Sequence, residues 1–193
     1  IIKLVNNVAS TIDSDRAMQN SLKVLFLPEY RVTMAERLIP ATDVSNQIST
    51  AGYEASGTSN MKFMMNGALT IGTRDGATIE MAEEGGEENF FMFGLTAQQV
   101  AESRGWYNPR WHYENEPETR AALDLIFDDH FSRDEPGVFS PLRDTLLTND
   151  RYMHLADLTS YLEADGRLVE LYRDKEAWAR MSILNVAASG KFS

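Results

Sequence analysis

Short apolar runs alternate with helical patterns over roughly the first 105 residues of the chain. The runs that read as strands cover residues 24–27, 44–49, 69–73 and 89–94. Helical patterns lie between and after them, at residues 34–39, 61–65, 79–84 and 96–101, the last with Thr96 as its expected N-cap. Because strands that alternate with helices usually form parallel sheets with crossover helices, this order predicts an α/β fold with helices flanking a parallel sheet.

The remaining residues, from about 106 to 193, are predicted to be mainly helical. Helical patterns cover residues 116–131, 141–147, 155–165 and 167–186, with Gly, Pro and Asn between them. The chain starts in the middle of another helical pattern and stops at residues 188–193, where a new segment should begin. We therefore expect a piece of a larger protein.

An excess of acidic residues limits the classes of partner. Lys and Arg number 18 and Asp and Glu number 29, so the formal net charge is −11. Binding to nucleic acid or to an anionic membrane surface needs a basic face, and neither partner is expected.

No apolar run reaches the roughly 18 residues of a membrane helix, and the absence of cysteine excludes disulfides and thiolate metal sites. We expect a soluble, cytoplasmic chain.

A loop of small residues leads into a predicted helix at residues 54–67. The first amides of a helix lack internal partners and carry partial positive charge, so an anion or a sugar hydroxyl can approach them where side chains are small. The alternative is a simple capped turn, with Ser56 or Thr58 as the N-cap. The pattern alone leaves both interpretations open.

Lys62 is the only lysine between positions 24 and 174, and Met61, Phe63, Met64 and Met65 surround it in sequence. A lysine in apolar surroundings is more easily held as the neutral amine, the nucleophile that forms a Schiff base with an aldehyde. The alternative is a lysine that extends to solvent from a core helix. Pyridoxal phosphate would use both features, with its aldehyde on Lys62 and its phosphate near the loop amides.

Other clusters of functional residue types are less specific. The three histidines, His112, His130 and His154, show no metal-ligand spacing, and no metal site is predicted. The aromatic residues Trp106, Tyr107, Trp111 and Tyr113 are better explained as core or interface residues than as a sugar-binding platform.

Residues 54–68, which read EASGTSNMKFMMNGA, closely resemble the pyridoxal-phosphate segment of the α-glucan phosphorylases, the family of glycogen, starch and maltodextrin phosphorylases. Residues 26–32, 48–52, 69–73, 81–89 and 188–193 resemble segments of the same family in the same order. The resemblance therefore covers essentially the whole chain.

The resemblance implies a type-B glycosyltransferase architecture, with two Rossmann-like domains and an active site between them. Residues 1–193 would form the latter part of the C-terminal domain, with a Rossmann-like α/β part over about 1–105 and a helical part over about 106–193. The implied activity is reversible phosphorolysis of terminal α-1,4-linked glucose with inorganic phosphate, which releases α-D-glucose 1-phosphate with retention.

The resemblance also implies roles for individual residues. Lys62 would hold pyridoxal 5'-phosphate as a Schiff base, and the cofactor phosphate would donate and accept protons through the substrate phosphate. The other residues beside the cofactor would be Gly57, Thr58, Ser59, Tyr30 and Arg31. Glu54 would accept hydrogen bonds from glucose hydroxyls, and the backbone amides of Ala55, Ser56 and Gly57 would bind the far side of the sugar.

Two departures from the family pattern matter. Ser59 stands where many members have glycine, a small change that should leave the amide usable. The family's other phosphate-binding cations lie outside this chain, so the remainder of the parent chain is an implied partner. We expect the isolated piece to be inactive and to hold the cofactor weakly or not at all, and we expect the parent to be a homodimer. The alternatives are a non-catalytic binding module of the same fold and a nucleotide-sugar glycosyltransferase.

Overall fold

The computed structural model describes residues 1–18 and 20–192. Ser193, the last residue of the segment 188–193, lies outside the described residues. The strands are β1 (Val44–Gln47), β2 (Leu69–Thr73) and β3 (Phe91–Phe93). The α-helices are α1 (Ile2–Ser14), α2 (Val32–Leu38), α3 (Ser59–Met65), α4 (Ala77–Gly85), α5 (Ala97–Ser103), α6 (Pro109–Asn115), α7 (Pro117–Phe127), α8 (Ser140–Thr148), α9 (His154–Tyr172) and α10 (Lys175–Ala188).

Two compact units divide the described chain. One unit joins Ile1–Arg31 to Pro109–Asp150 and contains α1, α6, α7 and α8. The other joins Val32–Asn108 to the chain from Arg151 onward and contains the three strands with the remaining helices. The helices α9 and α10 thus belong to the same compact unit as the sheet, although many residues separate them in sequence.

The sheet is parallel throughout, with the order β1-β2-β3. Val44 of β1 lies opposite Leu69 of β2, and Ile71 of β2 lies opposite Phe91 of β3. Every residue of β2 is buried, as expected for a central parallel strand that is covered on both faces. The predicted α/β fold with a parallel sheet and flanking helices is confirmed.

Among the described residues, three hydrophobic clusters lie in the sheet unit, and two of them contain residues of the sheet or of α3. The first joins residues of β2 and β3 to α9: Leu69, Ile71, Phe91, Phe93, Ala164 and Leu168. The second joins α3 and α4 to Phe90: Met64, Ala77, Met81, Ala82 and Phe90. Burying each large side chain removes apolar surface from water and contributes about 1.5–3 kcal/mol. The second cluster fixes α3, the helix that carries Lys62.

Polar contacts connect distant segments within the unit that contains α1. The Asn7 amide donates to the carbonyl oxygen of Phe131 at 2.7 Å, and Lys3 forms an ion pair with Glu135. The Tyr113 hydroxyl donates to Asp124 at 2.5 Å, and this bond is the main cause of the raised pKa of Tyr113.

The predicted strand at residues 24–27 is wrong. Residues 22–27 form no regular element, and Leu25 is 67% exposed, with Phe26 and Leu27 also exposed. An apolar run becomes a buried parallel strand only where neighbouring strands and covering helices are available. The described residues give this run no such cover.

The predicted helix boundary at Gly166 is also wrong. The helix α9 runs unbroken from His154 to Tyr172, and the chain turns at Asp174, whose side chain caps α10. A side chain at Gly166 would meet nothing within 4 Å, so this glycine lies on an open helix face and destabilises α9 only through its low helix propensity.

The short helix α6 had no counterpart among the sequence-based predictions. Among the described residues, none of the helices combines the length and the apolar character needed to span a bilayer.

Candidate functional site

The loop of small residues lies between β1 and α3 and runs beside the turn that follows β2. A hydrogen bond to a backbone carbonyl of the loop marks each end of this contact. The Thr73 hydroxyl donates to the carbonyl oxygen of Ser49 at 2.5 Å, and the Ala77 amide donates to the carbonyl oxygen of Ser56 at 2.7 Å. The loop therefore has a defined path although it contains no helix or strand.

Asp75 holds the middle of the loop. One carboxylate oxygen, Oδ2, accepts the amide of Tyr53 at 3.1 Å and the amide of Glu54 at 2.7 Å. Asp75 is only 9% exposed. Hydrogen bonds to an ionised acceptor are stronger than neutral ones, so this pair of bonds fixes the backbone of Glu54 firmly.

Gly76 allows the close approach of the turn to the loop. Its φ angle of +52° lies in the left-handed region, and an added Cβ would meet the carbonyl oxygen of Ser56 at 2.6 Å. Only glycine fits a position with both constraints. The role of Asp75 and Gly76 in holding the loop was not predicted from the sequence.

Glu54 is exposed, and its carboxylate is oriented locally. Its Oε2 atom accepts a hydrogen bond from the Ser49 hydroxyl at 3.2 Å. The carboxylate keeps accepting capacity for a further donor, because an ionised carboxyl group has about four lone-pair sites.

The backbone amides that follow Glu54 are available to a ligand. Among the described residues, no acceptor takes a hydrogen bond from the amides of Ala55, Ser56, Gly57, Thr58 and Ser59. Thr58 occupies the N-cap position of α3, but its side chain makes no capping bond, and the Ser56 hydroxyl donates to the carbonyl oxygen of Gly57 at 3.3 Å. The simple capped turn is therefore not what forms, and the amides stay open.

Lys62 is exposed on α3, so the expectation of apolar surroundings is wrong. Residues i and i±1 of a helix point in different directions, and apolar neighbours in sequence are not neighbours in space. The buried face of α3 carries Asn60 and Met64 instead. The Lys62 amide donates to the carbonyl oxygen of Thr58 at 3.3 Å, so Lys62 follows Thr58 by one helical turn.

Tyr30 and Arg31 lie at the end of an exposed segment without regular structure. Tyr30 is 65% exposed, and both residues belong to the unit that contains α1. The structure thus brings together the loop residues 54–59 and Lys62, and the roles of Tyr30 and Arg31 beside a cofactor stay predictions. Among the described residues, no group of three or more acidic or histidine side chains could hold a metal ion.

Comparisons with known proteins point to one family. The sequence profile of the carbohydrate phosphorylase family matches residues 1–193. The chain is 52% identical to the glycogen phosphorylase of Synechocystis sp. and 49% identical to the human brain form of glycogen phosphorylase, each over 194 residues. It is 48% identical over 195 residues to the muscle form from Mus musculus.

Each of these matches covers 100% of this chain and 23% of the relative. The chain therefore spans about a quarter of the length of the curated relatives that it matches. A match along every residue, at about half identity, confirms the resemblance that the loop and its neighbouring segments indicated. The chain belongs to the carbohydrate phosphorylase family.

Proposed function

We propose that the parent protein cleaves terminal α-1,4-linked glucose from a glucan with inorganic phosphate and releases α-D-glucose 1-phosphate. This chain would supply the loop that binds glucose and the lysine that holds pyridoxal 5'-phosphate. One observation supports the proposal most directly. Hydrogen bonds hold the loop in place, its amides at residues 55–59 have no acceptor among the described residues, and the helix α3 that follows exposes Lys62. The family membership of the whole chain supports the same reaction.

The residues present fit pyridoxal phosphate. The amides of Thr58 and Ser59 have no acceptor among the described residues and suit a phosphate beside Gly57, and the exposed amine of Lys62 is accessible to an aldehyde. When bound, the cofactor would supply a phosphate group that exchanges a proton with the substrate phosphate. Gly57 has a φ angle of +78°, which turns the backbone so that the loop can enter α3 with little side-chain bulk.

Glucose recognition would use the other half of the loop. The carboxylate of Glu54 accepts hydrogen bonds from sugar hydroxyls, and the amides of Ala55, Ser56 and Gly57 donate to sugar oxygens. Donors and acceptors that are fixed before the ligand arrives lose less entropy on binding and need no reorganisation during the reaction. That fixation comes from the bond that the Glu54 amide donates to Asp75 and the bond that the Ala77 amide donates to the carbonyl oxygen of Ser56.

The remainder of the parent chain completes the site in this proposal. Inorganic phosphate is an anion and needs cations, whereas the loop of this chain contributes amides and one lysine. Tyr30 and Arg31 are proposed to lie beside the cofactor. The isolated chain would then be inactive and would retain little cofactor, and the active parent would be a cytoplasmic homodimer.

The full-length parent tests the function directly. It should form glucose 1-phosphate from maltodextrin and inorganic phosphate. Borohydride reduction followed by peptide mass mapping should place a pyridoxyl phosphate group on Lys62. Labelling at another lysine would contradict the role of Lys62. Sugar transfer from a UDP- or ADP-sugar without any bound pyridoxal phosphate would favour a nucleotide-sugar glycosyltransferase instead.

A further inference from the structure

Asp75 lies outside the predicted site, yet its carboxylate determines the backbone position of Glu54. We propose that Asp75 is a positioning residue for glucose, which holds the loop in the geometry that binds the sugar without touching the sugar itself. This inference rests on the proposed function, because it assumes that Glu54 and the following amides bind glucose.

The surroundings of Asp75 support a dedicated role. The side chain is buried, and among the described residues no lysine, arginine or histidine lies within ion-pair distance of its carboxylate. The acceptor bonds that it makes go to two successive loop amides, those of Tyr53 and Glu54. A buried carboxylate is costly unless it is well hydrogen-bonded, so the two amides are what make Asp75 tolerable in this position.

Two hydrogen bonds join residues 75–77 to the loop, one at each end of the residues proposed to bind glucose. Asp75 holds the amide of Glu54 on one side, and the amide of Ala77 holds the carbonyl oxygen of Ser56 on the other. The backbone between these points has little freedom to rotate. Loss of the Asp75 bonds would release the Glu54 end alone, and the carboxylate and the amides of Ala55 and Ser56 would then sample many orientations.

The test uses variants of the full-length parent, with kcat and KM measured for glucose 1-phosphate in the direction of glucan synthesis. We expect Asp75→Ala to lower kcat/KM by about 10- to 100-fold, as small misplacements of binding groups do. Bound pyridoxal phosphate should stay at the wild-type level, because Lys62 and the amides of residues 57–59 lie beyond the Ala77 connection. Asp75→Asn keeps the side-chain volume and one acceptor oxygen but loses the charge, and should lower kcat/KM by about three- to tenfold.

Asp157 offers a matched control. It is also a buried carboxylate in the sheet unit, and it accepts a backbone amide, that of Leu95, at 2.8 Å. We expect Asp157→Ala to leave kcat/KM, per folded protein, within about twofold of the wild type. If both alanine variants lower kcat/KM equally, or if Asp75→Ala stays within twofold of the wild type, the positioning role is wrong.

The remaining outcomes also decide the matter. If Asp75→Ala does not fold, the asparagine variant decides, and a wild-type kcat/KM for Asp75→Asn would overturn the proposal. A wild-type parent with no phosphorylase activity would contradict the proposed function itself. An active wild type with unchanged Asp75 variants would contradict only the role of Asp75.

Discussion

Two segments of the chain carry residues predicted to contact the cofactor, and they differ in how they are held. Residues 49–62 lie in the sheet unit, where residues 73–77, from the end of β2 to the start of α4, accept or donate four hydrogen bonds along the loop. Residues 22–31 lie in the other compact unit, form no regular element and expose Leu25 and Tyr30. Residues 54–68 and residues 26–32 both resemble segments of the same family.

The comparison shows that a segment can resemble a family motif without being held in a fixed structure by the rest of this chain. The loop keeps its path because distant residues of this chain bond to its backbone. The apolar residues of the other segment find no such partners among the described residues. We therefore expect changes in the first segment to have large effects and changes to the exposed apolar side chains of residues 25–27 to have small effects on stability.

The largest effect is expected at Lys62. In the full-length parent, Lys62→Ala should lower phosphorolysis by about 1,000-fold or more, since the group that holds the cofactor is removed. Activity assays and the content of bound pyridoxal phosphate measure this. Lys175→Ala, which removes another exposed lysine from the sheet unit, is the control and should retain activity. An active Lys62→Ala variant would contradict the assignment.

A pair of leucine variants tests the contrast in packing. Leu69 is completely buried in β2, and Leu69→Ala should lower the free energy of unfolding by about 2–5 kcal/mol, from lost transfer energy and the cavity left behind. Leu25→Ala should change it by less than about 0.5 kcal/mol, because the side chain is already exposed. Urea unfolding of the parent measures both. A large loss for Leu25→Ala would show that the parent buries this segment.

A pair of glycine variants tests how the loop is held. Gly76→Ala should cost about 1–3 kcal/mol, because alanine is strained at positive φ and its Cβ would meet the Ser56 carbonyl oxygen. Faster hydrogen exchange of the Ala77 amide should report the loosened loop. Gly166→Ala, in the open face of α9, should instead stabilise by about 0.5–1 kcal/mol. Unchanged exchange in Gly76→Ala would show that the contact is dispensable.

The smallest effect concerns the ion pair between Lys191 and Glu84 on α4. A hydrogen bond from Lys191 to Glu84 is the main cause of the raised pKa of Lys191. A raised folded-state pKa contributes stability that is complete below the ordinary value of 10.5 and is lost as the pH rises through the higher folded value. NMR titration of Lys191 should show Glu84→Gln lowering this pKa, whereas Glu170→Gln, which removes the partner of Arg173, should leave it unchanged.

Local signals predicted much of the sheet unit. The segment Leu69–Thr73 is a strand as predicted, and Thr96 caps α5 through a capping box with Gln99. These features depend on residues close together in sequence, where apolar periodicity and capping chemistry are informative. The helix break predicted at Gly166 does not occur. The loss of stability from one exposed glycine in a helix is smaller than the stabilisation from packing α9 against the sheet.

The candidate site was predicted only in part. The loop and Lys62 could be identified from their residues, but the exposure of Lys62 could not be inferred from its apolar neighbours in sequence. Asp75 was missed because its bond to the Glu54 amide joins residues 21 positions apart. Such contacts depend on how β2 places the following turn, and no local pattern records that placement.

The sheet and its covering helices also set an order of events during synthesis. The Ser182 hydroxyl on α10 bonds to the carbonyl oxygen of Gly67 just before β2, and these residues lie 115 positions apart. At ribosomal rates of about 5–20 residues per second, Gly67 is made about 6–23 s before Ser182. During that time α10 cannot cover the apolar strand β2. The nascent chain therefore exposes apolar surface for an interval in which chaperone binding competes with aggregation.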